Sequence, residues 1–244
     1  MILVTGATGH IGNVLVRKLV ELDHNVRILC LPGDDPTQFQ LPPVETHYGD
    51  IRDYQTVARA CEGVDLVYHL AAMISIMPGR SRMIREVNVG GTLNVLQACK
   101  EKRVRRLVYT GSVHSFAEPD AGATIDETVP FNPAATSGTY GRSKAEAALF
   151  VSTAAREGLD ALIVCPTGVI GPFDFKLSLM GSMFLMFIKR KLTMIIDGSF
   201  DFVDVRDVVE GLTAAAEKGN RGDVFIVGGE WTTMRGLVEK MAEI

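Results

Sequence analysis

Residues 1–15 read MILVTGATGHIGNVL, and this stretch decides the fold of the chain. Its apolar run Ile2–Val4 is typical of a parallel strand that is buried on both faces. Apolar residues at helical spacing from Ile11 to Leu19 then predict a helix. Between the two lies the pattern GxxGxxG, formed by Gly6, Gly9 and Gly12. Such glycines allow a tight turn, close approach of the backbone to a pyrophosphate, and close packing of helix on strand. Because free N–H groups at a helix N-terminus attract phosphate, the stretch predicts a dinucleotide-binding site.

The composition limits the classes to which the protein can belong. The 244 residues fit one large domain or a domain with a small lobe, and 47% hydrophobic with 22% charged residues is typical of a soluble globular protein. A net charge of −4 without runs of like charge argues against nucleic-acid binding, and no apolar run is long enough to cross a membrane. Because the first strand pattern begins at the first residue, we expect no signal peptide. The 4 cysteines are far apart and form no CxxC, so we expect no metal site and a cytoplasmic location.

Strand and helix patterns alternate through the first two thirds of the chain. Further apolar strand patterns are Val26–Cys30, Val44–Tyr48, Val64–Leu70, Arg106–Thr110 and Ala161–Cys165. This alternation predicts an α/β fold with a Rossmann-type doubly wound parallel sheet. We expect residues 1–168 to form a dinucleotide-binding domain. Residues 169–244 are expected to form a small C-terminal substrate lobe, interleaved with the last strand and helices, over the edge of the sheet where ligands bind.

A second pattern, Tyr140-Gly-Arg-Ser-Lys144, lies in an Ala-rich helical stretch. A Tyr and a Lys four residues apart lie on one face of a helix. A free phenol titrates near ~10 and is a poor base at neutral pH, but a neighbouring ammonium favours the phenolate. The pattern therefore predicts a general acid–base pair, with a packed Tyr and a solvated Lys as the structural alternative.

Several motifs follow one another in a specific order: TGATGHIG at 5–12, GDI at 49–51, HLAA at 69–72, NVGGTLNVL at 88–96, YTGS at 109–112, YGRSK at 140–144, PTGVIGP at 166–172 and FVDVRDV at 202–208. With them the chain resembles the extended short-chain dehydrogenases/reductases, which form the NAD(P)-dependent epimerase/dehydratase superfamily. Within it, the chain is most similar to the branch of dihydroflavonol reductases and 3β-hydroxysteroid dehydrogenases. The resemblance covers nearly the whole chain and implies an NAD(P)-dependent dehydrogenase or reductase.

The resemblance also implies the catalytic residues. Tyr140 would exchange a proton with the substrate oxygen, and Lys144 would lower the pKa of Tyr140 and hydrogen-bond the nicotinamide ribose. Ser112, after the fifth strand, would orient the substrate oxygen, with Ser115 as the nearest alternative. His114 would line the pocket.

The same resemblance implies a cofactor site. Asp50 and Ile51 would hold the adenine through a carboxylate and a backbone N–H, and Asn88 would face the site from its helix. The other residues implied to contact the cofactor, together with Tyr140 and Lys144, are Gly6, Thr8, Gly9, His10, Ile11, Gly12, Cys30, Leu31, Leu70, Ala71, Ala72, Thr110, Pro166, Thr167 and Val169.

The chain departs from the family pattern at two points. An acid at the end of the second strand would accept a hydrogen bond from the ribose 2′-OH of NAD, and an Arg there would pair with the 2′-phosphate of NADP. Here Cys30 and Leu31 hold that position, with Asp34 and Asp35 farther along, so the choice between NAD and NADP stays open. Relatives usually continue into more substrate-lobe helices, so whether residues beyond Ile244 complete the pocket also stays open.

Three functions compete. The first is an oxidoreductase for a ketone or secondary alcohol of an apolar small molecule, favoured by an apolar late segment with Met180, Met183, Met186 and Phe187. The second is a nucleotide-sugar epimerase or dehydratase, but such relatives usually carry Gln and Arg where residues 197–202 read DGSFDF. The third, a cofactor-binding regulator without catalysis, is disfavoured by the presence of all three implied catalytic residues. The resemblance further implies a homodimer through the helices at about 80–102 and 139–157.

Overall fold

The computed structural model of the protein describes residues 1–36, 44–74, 79–119 and 123–243. Its strands are β1 (Ile2–Thr5), β2 (Val26–Cys30), β3 (Val44–Tyr48), β4 (Leu66–His69), β5 (Arg106–Thr110), β6 (Ala161–Pro166), β7 (Gly168–Ile170), β8 (Ser199–Asp204), β9 (Val224–Val227) and β10 (Glu230–Thr233). Its α-helices are α1 (His10–Glu21), α2 (Tyr54–Ala60), α3 (Ser81–Arg85), α4 (Gly91–Glu101), α5 (Gly138–Arg156), α6 (Leu179–Ile188), α7 (Val205–Lys218) and α8 (Met234–Ala242). None of the described helices is long and apolar enough to span a membrane.

A parallel sheet of seven strands forms the centre of the protein. The strand order is β3-β2-β1-β4-β5-β6-β9, and every neighbouring pair is parallel. The order reverses between β1 and β4, which opens a crevice at the carboxyl ends of these strands, where such sheets bind ligands. The predicted doubly wound parallel sheet is confirmed.

Apolar layers cover both faces of this sheet. One layer joins the sheet to α2, α4 and α5, and the other joins it to α1 and α7. Leu3 and Val4 are neighbours in β1 and point to opposite faces, yet both are fully buried. This explains why the sequence of β1 is continuously apolar instead of alternating. The buried strands hold the loops at their carboxyl ends in fixed positions.

A smaller sheet follows the last part of the chain. Its order is β10-β8-β7, with β7 and β8 parallel and β10 antiparallel to β8. Phe202, Met234 and Leu237 form its small core, against which the side chains of Met180 and Met183 in α6 are partly buried. The chain passes from β6 to β7 through Thr167 alone and returns to the large sheet at β9. A domain division at residue 168 stays a prediction.

The predicted long helix at about 80–102 is divided. A π-helical turn, Glu86–Gly90, separates α3 from α4. The side chain of Asn88 accepts the N–H of Met73 at 2.7 Å and donates to its carbonyl at 3.1 Å, while the carbonyl of Asn88 accepts the Thr92 hydroxyl at 2.6 Å. These bonds hold the wide turn against the segment that follows β4, an interaction that apolar spacing cannot indicate.

Candidate active site

The glycine turn after β1 fits the close contacts that the sequence predicts. Gly6 has a φ of +72°, and a Cβ there would lie 2.6 Å from the backbone nitrogen of Ala71. A Cβ on Gly12 would lie 2.2 Å from the carbonyl oxygen of Gly6, so the missing side chain lets α1 pack on the turn. Gly9 precedes α1 and makes no side-chain cap, which leaves the first N–H groups of α1 for a ligand.

Two adjoining cavities of ≈ 380 and ≈ 450 Å³ form a groove beside this turn. They share Gly6, Gly9, Leu70 and Ala72, and together they run over the carboxyl ends of β1, β4 and β5. The predicted residues that line the first cavity are Gly6, Thr8, Gly9, Leu31, Asp50, Ile51, Leu70, Ala71 and Ala72. Those that line the second are Gly6, Gly9, His10, Ile11, Gly12, Leu70, Ala72, Thr110, Ser112, Tyr140, Lys144, Pro166, Thr167 and Val169.

Two residues of the predicted cofactor set do not line this groove. Cys30 is 1% exposed and packs in the core between the sheet and α1, while its neighbour Leu31 is 48% exposed. The alternation of side chains along β2 turns the Cys30 thiol inward. Asn88 is 1% exposed and lies behind the groove, where it bridges the backbone of Met73 and donates to the hydroxyl of Ser143 at 2.9 Å. Both side chains are engaged in packing or bridging, and their contact with the cofactor stays a prediction.

Ser112, Tyr140 and Lys144 all line the second cavity. Ser112 follows β5, and its hydroxyl accepts the N–H of His114 at 3.2 Å. Burial raises the pKa of Tyr140 to about 12, and a hydrogen bond with Ser112 opposes this rise. The phenol therefore keeps its proton at neutral pH, which suits a proton donor.

The ammonium of Lys144 is turned toward β5. Its Nζ donates to the carbonyl of Thr110 at 2.5 Å and lies 4.3 Å from the ring centroid of Tyr109. Burial lowers the pKa of Lys144 to about 7. The causes that shift the pKa of Tyr140 here are burial, Ser112 and Cys165. The lowering of this pKa by Lys144 stays a prediction.

Polar side chains behind the groove connect β4 to α5. His69 bonds to the Thr5 hydroxyl at 2.7 Å and to the Thr92 hydroxyl at 3.0 Å, and burial lowers its pKa to about 3, so the imidazole is neutral. The hydroxyl of Ser143 donates to the carbonyl of Tyr140 at 2.7 Å. The amide of Asn88 donates to the same Ser143 hydroxyl at 2.9 Å, and this bond ties the start of α5, which carries Tyr140, to the π-helical turn.

A further cluster in the first cavity, which we call the Asp34 cluster, consists of Thr8, Asp34 and Lys176. The Asp34 carboxylate accepts the Thr8 hydroxyl at 2.6 Å and the Lys176 ammonium at 2.7 Å, and Lys176 also donates to Thr8 at 2.9 Å. Burial opposes ionisation of Asp34, but the bonds from Lys176 and Thr8 outweigh it and lower the pKa. The sequence indicates Asp34 only as an acid beyond β2, and no signal marks Lys176.

The comparisons with known proteins identify the family of this chain. The model of the NAD dependent epimerase/dehydratase family matches residues 2–228. Sterol demethylase protein B of Methylococcus capsulatus is 38% identical over 99% of this chain and 74% of its own. A Synechocystis protein, named provisionally as a dihydroflavonol 4-reductase, is 32% identical over 99% of this chain and 71% of its own. A dTDP-glucose 4,6-dehydratase of Streptomyces venezuelae, solved with NAD bound, superposes with a TM-score of 0.89 at 25% identity, covering 100% of this chain and 80% of its own.

The fold and the site define an NAD(P)-dependent dehydrogenase/reductase of the extended short-chain type. The chain belongs to the NAD-dependent epimerase/dehydratase family, as its sequence motifs predict.

The groove fits a nicotinamide cofactor. The turn around Gly6 and Gly12 exposes backbone that side chains would otherwise cover, and α1 points its N-terminus at the groove. The Thr110 hydroxyl lies buried in the wall of the second cavity and has no hydrogen-bond partner among the described residues. A bound ligand would supply the partner that a buried hydroxyl needs.

Proposed function

We propose that this enzyme transfers a hydride between NAD(H) and a ketone or secondary alcohol of an apolar small molecule. The observation that carries the proposal is the convergence of Ser112, Tyr140 and Lys144 in one cavity that continues into the glycine-lined groove. This convergence supports a role for Tyr140 as proton donor and for the Ser112 hydroxyl beside the expected nicotinamide end of the cofactor.

In the proposed mechanism, the nicotinamide cofactor supplies or takes up the hydride when it is bound. The chain's own residues control the proton and the position of the substrate. Tyr140 donates its phenolic proton to the carbonyl oxygen as the alcohol forms, and it takes a proton back in the reverse direction. Ser112 holds the same oxygen through its hydroxyl. Lys144, one helical turn after Tyr140, meets a ribose hydroxyl and stabilises the phenolate that remains after proton transfer.

Within this proposal the preferred cofactor is NAD(H). Leu31 stands where an Arg would pair a 2′-phosphate, and Asp34 supplies a carboxylate in the same cavity that can accept ribose hydroxyls. The dTDP-glucose dehydratase that this chain resembles was solved with NAD bound.

The walls of the second cavity support an apolar substrate. Ile74, Pro166, Val169 and Leu179 form much of its surface. No Arg is among the described residues that line it, whereas the diphosphate of a sugar nucleotide calls for a guanidinium fork. The names of the two relatives described above refer to a sterol and to a dihydroflavonol, ring compounds that carry no diphosphate.

The alternative is a nucleotide-sugar epimerase or dehydratase. The superposition on the dTDP-glucose dehydratase favours it, and so do the exposed Lys189 and Arg190 that follow α6. These cations do not line either cavity, so the first proposal accounts better for the site.

The test combines a variant with a substrate panel. Tyr140→Phe should lower kcat with an apolar ketone and NADH by about 10²- to 10⁴-fold, because the general acid is lost, while the Kd of NADH changes less than about twofold. Tyr48→Phe removes a phenol that is 54% exposed and outside the groove, and it should leave both values unchanged. Undiminished turnover by Tyr140→Phe would contradict the assignment of the acid. Turnover of UDP-, GDP- or dTDP-sugars instead of ketones would favour the alternative.

A further inference from the structure

The Asp34 cluster is built from three separate parts of the chain. Thr8 comes from the glycine turn, Asp34 from the loop after β2, and Lys176 from the segment between β7 and α6. Lys176 is therefore the one member that arrives from the side of the smaller sheet. Its ammonium reaches across the groove and contacts both other members.

The segment that carries Lys176 is anchored to α1 just before Lys176, and an internal hydrogen bond closes the turn around it. The imidazole of His10 bonds to the carbonyl of Pro172 at 3.0 Å, and the guanidinium of Arg17 lies 4.6 Å from the ring centroid of Phe173. The carboxylate of Asp174 accepts the N–H of Ser178 at 2.8 Å. Lys176 is thus held against the cofactor groove by contacts that are independent of its own ion pair.

The position of the cluster in the groove matches the adenosine ribose. In the same cavity, Gly6 and Gly9 mark the end where the diphosphate would lie, and Asp50 and Ile51 mark the end implied for adenine. The ribose connects these two groups, so its hydroxyls fall near the Asp34 cluster, in the loop after the second strand where such folds read the ribose.

The charges in this cavity are almost fully paired. Asp34 is held by Lys176, and Arg52 is held by Asp50 at 2.6 Å with Glu86 at 3.9 Å. Because Arg52 already has two carboxylates, Lys176 is the cation that a phosphate on the ribose would meet. Its side chain is 50% exposed, whereas that of Asp34 is 17% exposed, so the ammonium is accessible from the groove.

We propose that Lys176 is a second determinant of cofactor choice, a cation for the ribose 2′-phosphate that Asp34 masks in the native enzyme. Asp34 favours the 2′-OH of NAD(H) and repels a 2′-phosphate. Lys176 neutralises that carboxylate, which keeps NADP(H) binding weak instead of absent. Without the carboxylate, the same ammonium is free to form a charge-assisted hydrogen bond to the 2′-phosphate. The inference rests on the proposed function, in that a dinucleotide must occupy this groove.

The test measures the Kd of NADH and NADPH for four forms of the purified protein by fluorescence titration. For Lys176→Met, the affinity for NADPH should fall by about tenfold or more, while that for NADH changes less than about threefold, since only the phosphate meets the unneutralised Asp34. For Asp34→Asn, the affinity for NADPH should rise by about tenfold or more. In the double variant Asp34→Asn/Lys176→Met this gain should disappear, because the two effects depend on each other.

Two further variants serve as controls. Lys176→Arg keeps the positive charge and should retain or raise the affinity for NADPH relative to NADH, because a guanidinium also pairs with a phosphate. Lys191→Met removes a charge from an exposed position of the same part of the chain, outside both cavities, and should change neither affinity.

The outcomes separate the inference from the proposal beneath it. If Lys176→Met weakens NADH and NADPH equally or leaves both unchanged, Lys176 does not read the 2′ position and the inference is overturned. A gain of NADPH affinity that persists in the double variant would also overturn it. If the wild-type protein binds neither cofactor, the proposed function itself is wrong.

Discussion

Replacing Gly6 with Ala tests the central turn of the site. Gly6 has a φ of +72°, a left-handed conformation that costs an L-residue about 1–2 kcal/mol. The new Cβ would also lie 2.6 Å from the backbone nitrogen and 2.7 Å from the Cα of Ala71. These atoms are backbone at the end of a buried strand and cannot move aside as a flexible side chain would. Overpacking of this kind costs about 1–3 kcal/mol, so Gly6→Ala should lower the free energy of unfolding by about 2–5 kcal/mol.

Two other glycines provide matched comparisons. Gly63 has a φ of +68° on the surface, and a Cβ there would meet nothing within 4 Å, so Gly63→Ala should cost only the conformational term of about 1–2 kcal/mol. Gly9 has a φ of −78°, and the nearest atom to its Cβ would be the carbonyl oxygen of Gly6 at 3.2 Å. Gly9→Ala should therefore fold with a stability close to that of the wild type, but its methyl group would enter the groove where the diphosphate is expected.

The assays are urea unfolding followed by fluorescence, for stability, and NADH titration, for binding. We expect the loss of stability to decrease in the order Gly6→Ala, Gly63→Ala, Gly9→Ala. Gly9→Ala should show the largest loss of NADH affinity in proportion to its loss of unfolding free energy. Equal destabilisation by Gly6→Ala and Gly63→Ala would refute the clash with Ala71. Unchanged NADH affinity of Gly9→Ala would refute the placement of the diphosphate at this turn.

Two further predictions concern a buried charge and an exposed surface. Lys144 has a folded pKa of about 7 against an ordinary value of 10.5, so the unfolded chain binds more protons between these values. Relative to Lys144→Met, the unfolding free energy of the wild type should therefore rise between about pH 7 and about pH 10, by up to about 1.4 kcal/mol per pH unit. Urea titrations at several pH values measure this rise, and parallel pH profiles of the two proteins would contradict it. The implied homodimer is proposed to use the exposed apolar side chains of Met83, Leu93, Leu149 and Phe150 on α3, α4 and α5. Phe150→Glu should then convert a dimer to a monomer in light scattering, and a monomeric wild type would argue against this interface.

The strands of the large sheet could be predicted because each has a recognisable local pattern in the sequence. Val26–Cys30, Val44–Tyr48 and Arg106–Thr110 form strands with the predicted bounds. β2 and β5 are largely apolar because they are buried, whereas the edge strand β3 is only partly buried. Gly or Pro interrupts the chain shortly after each of these strands. The helix around Tyr140 is also as expected, although it begins at Gly138.

Other features depend on contacts that leave no periodic mark. The strands β7 and β10 were not predicted, since each is only three or four residues long and pairs with β8. The π-helical turn at Glu86–Gly90 depends on the bonds between Asn88 and Met73, which come from different elements. Apolar spacing along one helix cannot show a bond to a distant loop.

The sequence by itself determined the parallel sheet, the glycine turn and the spacing of Tyr140 and Lys144, because local spacing and strand burial encode them. Ser112 was implied by the family resemblance. Only the tertiary structure decided that Cys30 faces the core, that Lys144 turns to Thr110 and the ring of Tyr109, and that Lys176 meets Asp34. Lys176 and Asp34 are 142 residues apart in the chain. Such pairs form where separate loops converge at the carboxyl edge of the sheet. The sequence of one loop does not indicate which residue of the other loop it will contact.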